Sequence, residues 1–419
     1  MKVFAVPTLA AAINAGLSVL FFAGLSRVLG DHRLGEIILV QSSVAMLQVA
    51  CVPQAWIYIF SAPDAATLKQ RYSIGVTAEI VGIALGASIL LVVTNLPFGF
   101  VANWRDGAMA MYASLAVQAS SSALGWLRGH NRWRSYAVWM VAPNIVRVPL
   151  VWLTPWLAAH GWLAIPGDRT TAILLYFTVA DAVRWLLMYL PLVRRNYQLP
   201  SFATTISGTR KILQNWFFDV GSAFTDIADK VIVGAVLGPQ LLVVYFFARK
   251  VGTVASMVNE PFFTEHFRRI GQTVGTLRAS AQTRIYRHGI ALSGVIFIGV
   301  ATVVALALRV PQIAHFMPPS IAVHLLLFVL ILGIDCALAA NRWSRFVTQL
   351  DGGVKLLLLV RLSAFGLFAA GVAMFGNQFD GLGLCIAFAS GWAAEAAFLI
   401  GRLRRGYRRA TGAATTRQA

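Results

Sequence analysis

Arg147, Arg184, Lys230, Arg249, Lys250 and Arg361 are basic residues set inside long apolar runs, and Glu79, Asp181, Asp229, Asp335 and Glu395 are acids in the same setting. A charge at the centre of a bilayer costs roughly 2.5 to 3.5 kcal/mol on insertion scales, so each of these side chains must pair, face water or meet a ligand of opposite charge. A guanidinium there offers phosphate binding, because its planar fork donates two parallel hydrogen bonds. A carboxylate offers binding of a proton or sodium ion, because its charge is poorly solvated without one.

The densest group lies between Trp216 and Pro261, two apolar runs joined by the turn Leu237-Gly238-Pro239-Gln240. Asp219, Ser222, Asp226 and Asp229 with Lys230 fall at steps of three or four, one stripe of a first helix; Tyr245, Arg249, Gly252, Ser256 and Asn259 form a stripe on the second. With Glu260 beyond them, two adjacent polar faces indicate a wet cavity inside a helix bundle, with cations available for an anionic ligand. Arg147, with Asn144 one turn before it, and Arg249 and Lys250 have no obvious acid on their own helices, which favours a ligand-facing role. Arg184 sits three residues after Asp181, and Lys230 four after Asp226, so both retain a second reading as helix ion pairs. Asp229, Asp181, Glu79, Asp335 and Glu395 are ion-coupling candidates, each with the alternative of a satisfied core carboxyl.

The elements that hold these groups follow from composition. The 419 residues are 58% hydrophobic and 12% charged, which predicts an all-α polytopic membrane protein. Twelve stretches are long enough to cross about 30 Å of hydrocarbon: near 4–26, 36–60, 73–94, 106–127, 137–158, 171–193, 214–237, 241–262, 289–308, 321–341, 354–375 and 381–401. The first, with Asn14 and Ser18 on a polar face, reads as an uncleaved helix rather than a signal peptide. With the N-terminus inside, 24 of the 35 Lys and Arg fall in cytoplasmic segments, including Arg132, Arg195, Arg269, Arg345 and a basic tail, and five fall outside. That bias places both termini in the cytoplasm and accounts for most of the +19 charge without nucleic acid.

Several chemistries lack their motifs. No lysine is followed by Ser or Thr, so there is no phosphate-binding loop of the ATPase kind; no GxSxG or HExxH occurs, and Cys51, Cys336 and Cys385 are scattered. No enzyme, metal or cofactor is expected.

Short matches repeat at growing offsets. Val28-Leu29-Gly30 returns as Val236-Leu237-Gly238, and Asn131-Arg132-Trp133 as Asn341-Arg342-Trp343; Arg147 and Arg361 share one further offset with Asp181 and Glu395. Their common order predicts two parallel six-helix halves, an N-terminal lobe over 1–200 and a C-terminal lobe over 201–419 with the basic tail.

Residues Ala23-Gly24-Leu25-Ser26-Arg27-Val28-Leu29-Gly30-Asp31 with Leu34-Gly35, and Asp229-Lys230-Val231-Ile232-Val233-Gly234 followed by Leu237-Gly238 and Tyr245-Phe246-Phe247-Ala248-Arg249-Lys250, carry a resemblance. They are similar to hairpin signatures of the Wzx-type polysaccharide and O-antigen flippases, in the multidrug/oligosaccharidyl-lipid/polysaccharide superfamily. Asp31 stands where proline is commoner, although Pro239 supplies it in the second half, and the two extra helices of lipid II flippases are missing. The resemblance implies two six-helix lobes around a central cavity in the bacterial inner membrane. It implies alternating access for an undecaprenyl-diphosphate-linked oligosaccharide, with membrane lipid and polysaccharide polymerase or export proteins as partners. On it, Arg147, Arg249, Lys250, Arg184, Lys230 and Arg361 would face the substrate. The alternatives are a membrane-embedded polymerase or acyltransferase, disfavoured by the short exported loops, and a cation-coupled multidrug exporter of the same fold.

Overall fold

The computed structural model describes residues 2–60, 62–95, 104–118, 121–253, 317–339, 354–376 and 381–415, together with Gln378 and short pieces between 291 and 309. Glu260, Arg269, Arg345 and the Asn341-Arg342-Trp343 copy of the second repeat lie outside them, as does the side chain of Asp219.

Every long element among the described residues is a helix. In chain order they are α1 (Lys2–Leu29), α2 (Asp31–Cys51), α3 (Trp56–Phe60), α4 (Ala65–Asn95), α5 (Arg105–Gln118), α6 (Ser121–Gly129) and α7 (Trp133–Ala159). Then come α8 (Arg169–Asn196), α9 (Phe202–Leu237), α10 (239–253), α11 (Pro319–Val323), α12 (Leu325–Ala339), α13 (Val354–Phe375) and α14 (Leu382–Thr415). Seven described stretches are long and apolar enough to cross a membrane: Leu9–Leu29, Asp31–Cys51, Ala65–Asn95, Trp133–Ala159, Arg169–Asn196, Leu356–Phe375 and Leu382–Leu399. The chain clusters into two compact units, Met1–Ala235 and Val236–Ala419.

The faces of α4 show what solvent these helices are built for. Tyr72, Val76, Glu79, Gly82, Gly86 and Leu90 turn inward at helical spacing, while Ile80, Val81, Leu85, Leu91 and Val92 are exposed. Small and polar residues inside with branched aliphatics outside invert the soluble pattern and suit lipid, where close packing rather than water exclusion joins helices.

The Val-Leu-Gly repeat marks the same junction twice. Gly30 and Gly238 both have positive φ, 80° and 87°, a region open to glycine at no steric cost, and each carbonyl accepts the amide four residues on, from Leu34 and Leu242. Asp31, where the resembled family commonly has proline, begins α2 and accepts a hydrogen bond from the Ser26 hydroxyl. At the chain reversals, Asp64 caps α4 through the Thr67 amide and hydroxyl, and Asp168 caps α8 through the Thr171 hydroxyl and amide. These bonds to the ionised form hold both carboxyls below their ordinary range.

The fourth expected span is described as two helices, α5 and α6, with residues 119–120 between them outside the described residues. The second expected span is broken: it stops at Cys51, runs extended through Val52 (φ −98°, ψ 108°) and resumes as α3. Pro53 is the cause, since it has no N–H for the Val49 carbonyl and its ring crowds that oxygen. The orphaned carbonyl accepts the Trp216 indole N–H at 3.0 Å, and the Ala55 amide donates to Ser121 Oγ at 2.9 Å. Trp216→Phe removes the donor and keeps the ring, so it is expected to cost about 1 to 3 kcal/mol for the unsatisfied carbonyl. Thermal unfolding of the detergent-solubilised protein should show the drop; an unchanged midpoint would mean that water serves instead.

Candidate functional site

Asp181 is the centre of a buried polar cluster in the N-terminal unit. It lies on the six-residue segment Val179–Arg184 of α8, which is flanked on both sides by wide turns with i→i+5 bonding, Leu174–Thr178 and Trp185–Tyr189. Each wide turn shifts the helix register, and such bulges concentrate at functional positions. The segment packs on α5 and α7. From α7, Arg147 places Nη2 2.5 Å from Asp181 Oδ2, and from α5 the Ser114 hydroxyl donates to the same oxygen at 2.5 Å. Arg184 reaches toward Oδ1 at 3.9 Å, beyond hydrogen-bond length.

Two guanidiniums therefore share one carboxylate. Both arginines are 8% exposed, and Arg147 Nε and Arg184 Nε and Nη2 have no hydrogen-bond partner among the described residues. Aromatic faces take up part of the surplus charge: Phe21 and Phe177 lie 5.7 and 5.3 Å from the Arg147 guanidinium, and Trp139 lies 5.3 Å from that of Arg184. Such contacts contribute about 0.5 to 2 kcal/mol each. Asn144, on the same face of α7, instead donates to the Asn14 side chain of α1 at 2.8 Å.

Glu79 sits at the start of α6, next to the break after α2. Its Oε1 accepts the Ser121 hydroxyl and the Ser122 amide, both at 2.6 Å, and Oε2 accepts the Ser122 hydroxyl at 2.5 Å. The carboxylate thus caps the N-terminus of α6, where unpaired amides and the helix dipole favour negative charge. On α9, Asp229 is buried and accepts the Lys230 ammonium at 3.1 Å, while that ammonium also donates to the backbone carbonyl of Asp226.

In the C-terminal unit Arg249 of α10 is bonded to Asp335 of α12, with the Phe388 ring 5.3 Å from the guanidinium. The approach depends on Gly252: a Cβ there would overlap the Asp335 carboxylate. Lys250 lies over the Phe246 ring at 5.3 Å. Arg361 and Glu395 are buried on α13 and α14, which pack along one another.

The acids absent from the helices of Arg147 and Arg249 thus come from other helices, 34 and 86 residues away. Sequence spacing named Asp181 with its neighbour Arg184, and Asp335, but it paired neither Arg147 with Asp181 nor Arg249 with Asp335, and it missed Ser114, Ser121, Ser122 and Trp139. Small polar residues in apolar runs are the one signal that would have found the serines.

No family model matches this sequence, and no curated protein resembles it closely enough to count as a relative. Solved structures match over nearly the whole chain. The MATE multidrug transporter DinF-BH, solved with a bound ligand, has a TM-score of 0.59 at 13% identity, covering 97% of this chain and 96% of that one. An inward-facing multidrug resistance MATE family transporter of the MOP superfamily has 0.57 at 13% identity, with 96% of each chain covered. The eukaryotic MATE transporter AtDTX14 has 0.52 at 14% identity, with 98% of each covered. At these identities the likeness is one of fold. This chain has the all-helical, multi-span fold seen in these MATE transporters.

Proposed function

We propose that the protein is a transporter working by alternating access, and that its substrate is a lipid-linked oligosaccharide carrying a diphosphate, flipped across the bacterial inner membrane with both termini in the cytoplasm. The observation that carries the reading is the excess of positive charge, among the described residues, where Arg147 and Arg184 share Asp181. A diphosphate supplies the missing counter-charge and fits the unpaired guanidinium donors, while its prenyl chain stays in lipid. Arg249, Lys250, Lys230 and Arg361 are further cations for the headgroup and acidic sugars, and two lobes, 1–200 and 201–419, rock to change access. Polysaccharide polymerase and export proteins would act downstream. The chain is a carrier and not an enzyme.

Arg184 gives the sharpest test, because removing it spares the 2.5 Å pair of Arg147 with Asp181. Arg184→Gln is expected to lower glycan export about tenfold or more at matched membrane abundance, the loss of one charge-assisted contact, with partial recovery in Arg184→Lys. Wild-type export by Arg184→Gln and Arg249→Ala alike would remove the diphosphate reading.

A second reading, cation-coupled multidrug export, draws on the buried carboxylates of Glu79 and Asp229 and on the fold neighbours, whose names call them multidrug transporters. It predicts proton- or sodium-driven uptake of a fluorescent cation into inverted vesicles, lost in Asp229→Asn. The flippase reading predicts no such uptake.

A further inference from the structure

We infer that the start of α9, with the turn before it, is a binding site for anionic phospholipid at one edge of the membrane. At 1.5 Å per residue, the 36 residues of α9 span about 54 Å, well beyond a hydrocarbon core of about 30 Å. The overhang is the N-terminal end. Ile212 belongs to the buried cluster with Ala55, Ile59, Tyr72 and Ile74, and Trp216 reaches the break in α2, so residues 202–211 run outward past the first turns of α4. The connecting turn is fixed at the same level: the Gln198 amide donates to Ser73 Oγ at 3.1 Å, and Tyr197 shares a hydrogen bond with Thr77.

The other face of this end is amphipathic and unusual in what it exposes. Leu199, Phe202 and Ile206, at steps of three and four, are 85%, 81% and 55% exposed. Four cations flank them: Arg194 and Arg195 at the end of α8, and Arg210 and Lys211 on α9, all exposed and none ion-paired among the described residues. Ile206, Ser207, Arg210 and Lys211 line a surface groove of about 510 Å³. An apolar stripe beside unpaired cations, at the depth where a helix leaves the hydrocarbon, matches a lipid whose acyl chain covers the stripe and whose phosphate meets the guanidiniums. A soluble acidic protein would satisfy the cations and leave Phe202 in water; a neutral lipid would do the reverse. The site is separate from the buried arginines proposed for transport, and its test does not depend on them.

Native mass spectrometry of the full chain, released from detergent after titration with phosphatidylglycerol or phosphatidylcholine, reads the site directly. The wild-type protein is expected to retain phosphatidylglycerol in preference to phosphatidylcholine. Arg210→Glu with Lys211→Glu should weaken that retention about tenfold or more, since each cation near an anionic surface contributes to binding. Phe202→Ser with Ile206→Ser should weaken it without changing charge, and Arg105→Glu, at the exposed first residue of α5, should not. Retention unchanged in both paired variants, or no preference between the lipids, overturns the proposal. So does a wild-type dimer that the Phe202 and Ile206 changes split, which would assign the patch to a second copy of the chain.

Discussion

Asp181→Ala is expected to be the most damaging single change in the N-terminal unit, costing about 3 to 5 kcal/mol, because it strands two buried guanidiniums beside each other with no carboxylate between them. The loss should appear as a collapse of the thermal midpoint in detergent and of the amount reaching the membrane. Arg147→Ala removes a charge from a cluster that has one to spare, so Arg184 can close on Asp181 and the loss should be smaller. A triple change, Arg147→Met, Asp181→Leu and Arg184→Met, should restore much of the stability, since apolar groups of similar size often replace a buried ion cluster without loss. It should not restore transport. Stability recovered with export still absent would separate the fold's need for Asp181 from the substrate's need for the arginines. An Asp181→Ala protein as stable as its parent would mean that the cluster is neutralised by another group.

Glu79→Ala is the second large effect expected, for a different reason. Glu79 accepts three donors at the N-terminus of α6, and two of them, the Ser122 amide and hydroxyl, belong to one residue at the start of that helix. Each buried donor left unsatisfied costs about 1 to 3 kcal/mol. The Ser121 hydroxyl is also the acceptor for the Ala55 amide, so the loss should reach the break after α2. Glu79→Gln keeps one oxygen for the Ser122 amide, and the Ser122 hydroxyl can turn to accept from the new NH₂. It should therefore lie between wild type and alanine in thermal midpoint. Equal losses for Gln and Ala would show that the negative charge matters more than the hydrogen bonds, as a bound cation or the helix dipole would require.

Much of this fold is written along the chain because the bilayer asks a local question of each segment. Twenty apolar residues, a glycine with φ near 80° between two runs, and an Asp three residues before a Thr each act over one or two helical turns. The apolar runs, the Gly30 and Gly238 junctions and the positions of Arg147, Asp181, Arg249 and Asp335 inside the runs are therefore properties of the sequence. So is the α2 break at Pro53, whose missing N–H needs no tertiary context, although the interruption is absent from any count of apolar residues.

What only the tertiary structure decided is which charge meets which. Periodicity places Arg147 on a face of α7 and Asp181 on a face of α8, but bringing Nη2 within 2.5 Å of Oδ2 requires those faces to be packed together and the wide turns of α8 to set the rotation. The same holds for Arg249 and Asp335, joined across 86 residues through the space that Gly252 leaves open. Helix periodicity constrains neighbours three or four residues apart, whereas partners on different helices are selected by the steric fit of whole surfaces. The spacing of Arg184 after Asp181 marked a local pair; the structure made it the third member of a cluster with more positive charge than negative.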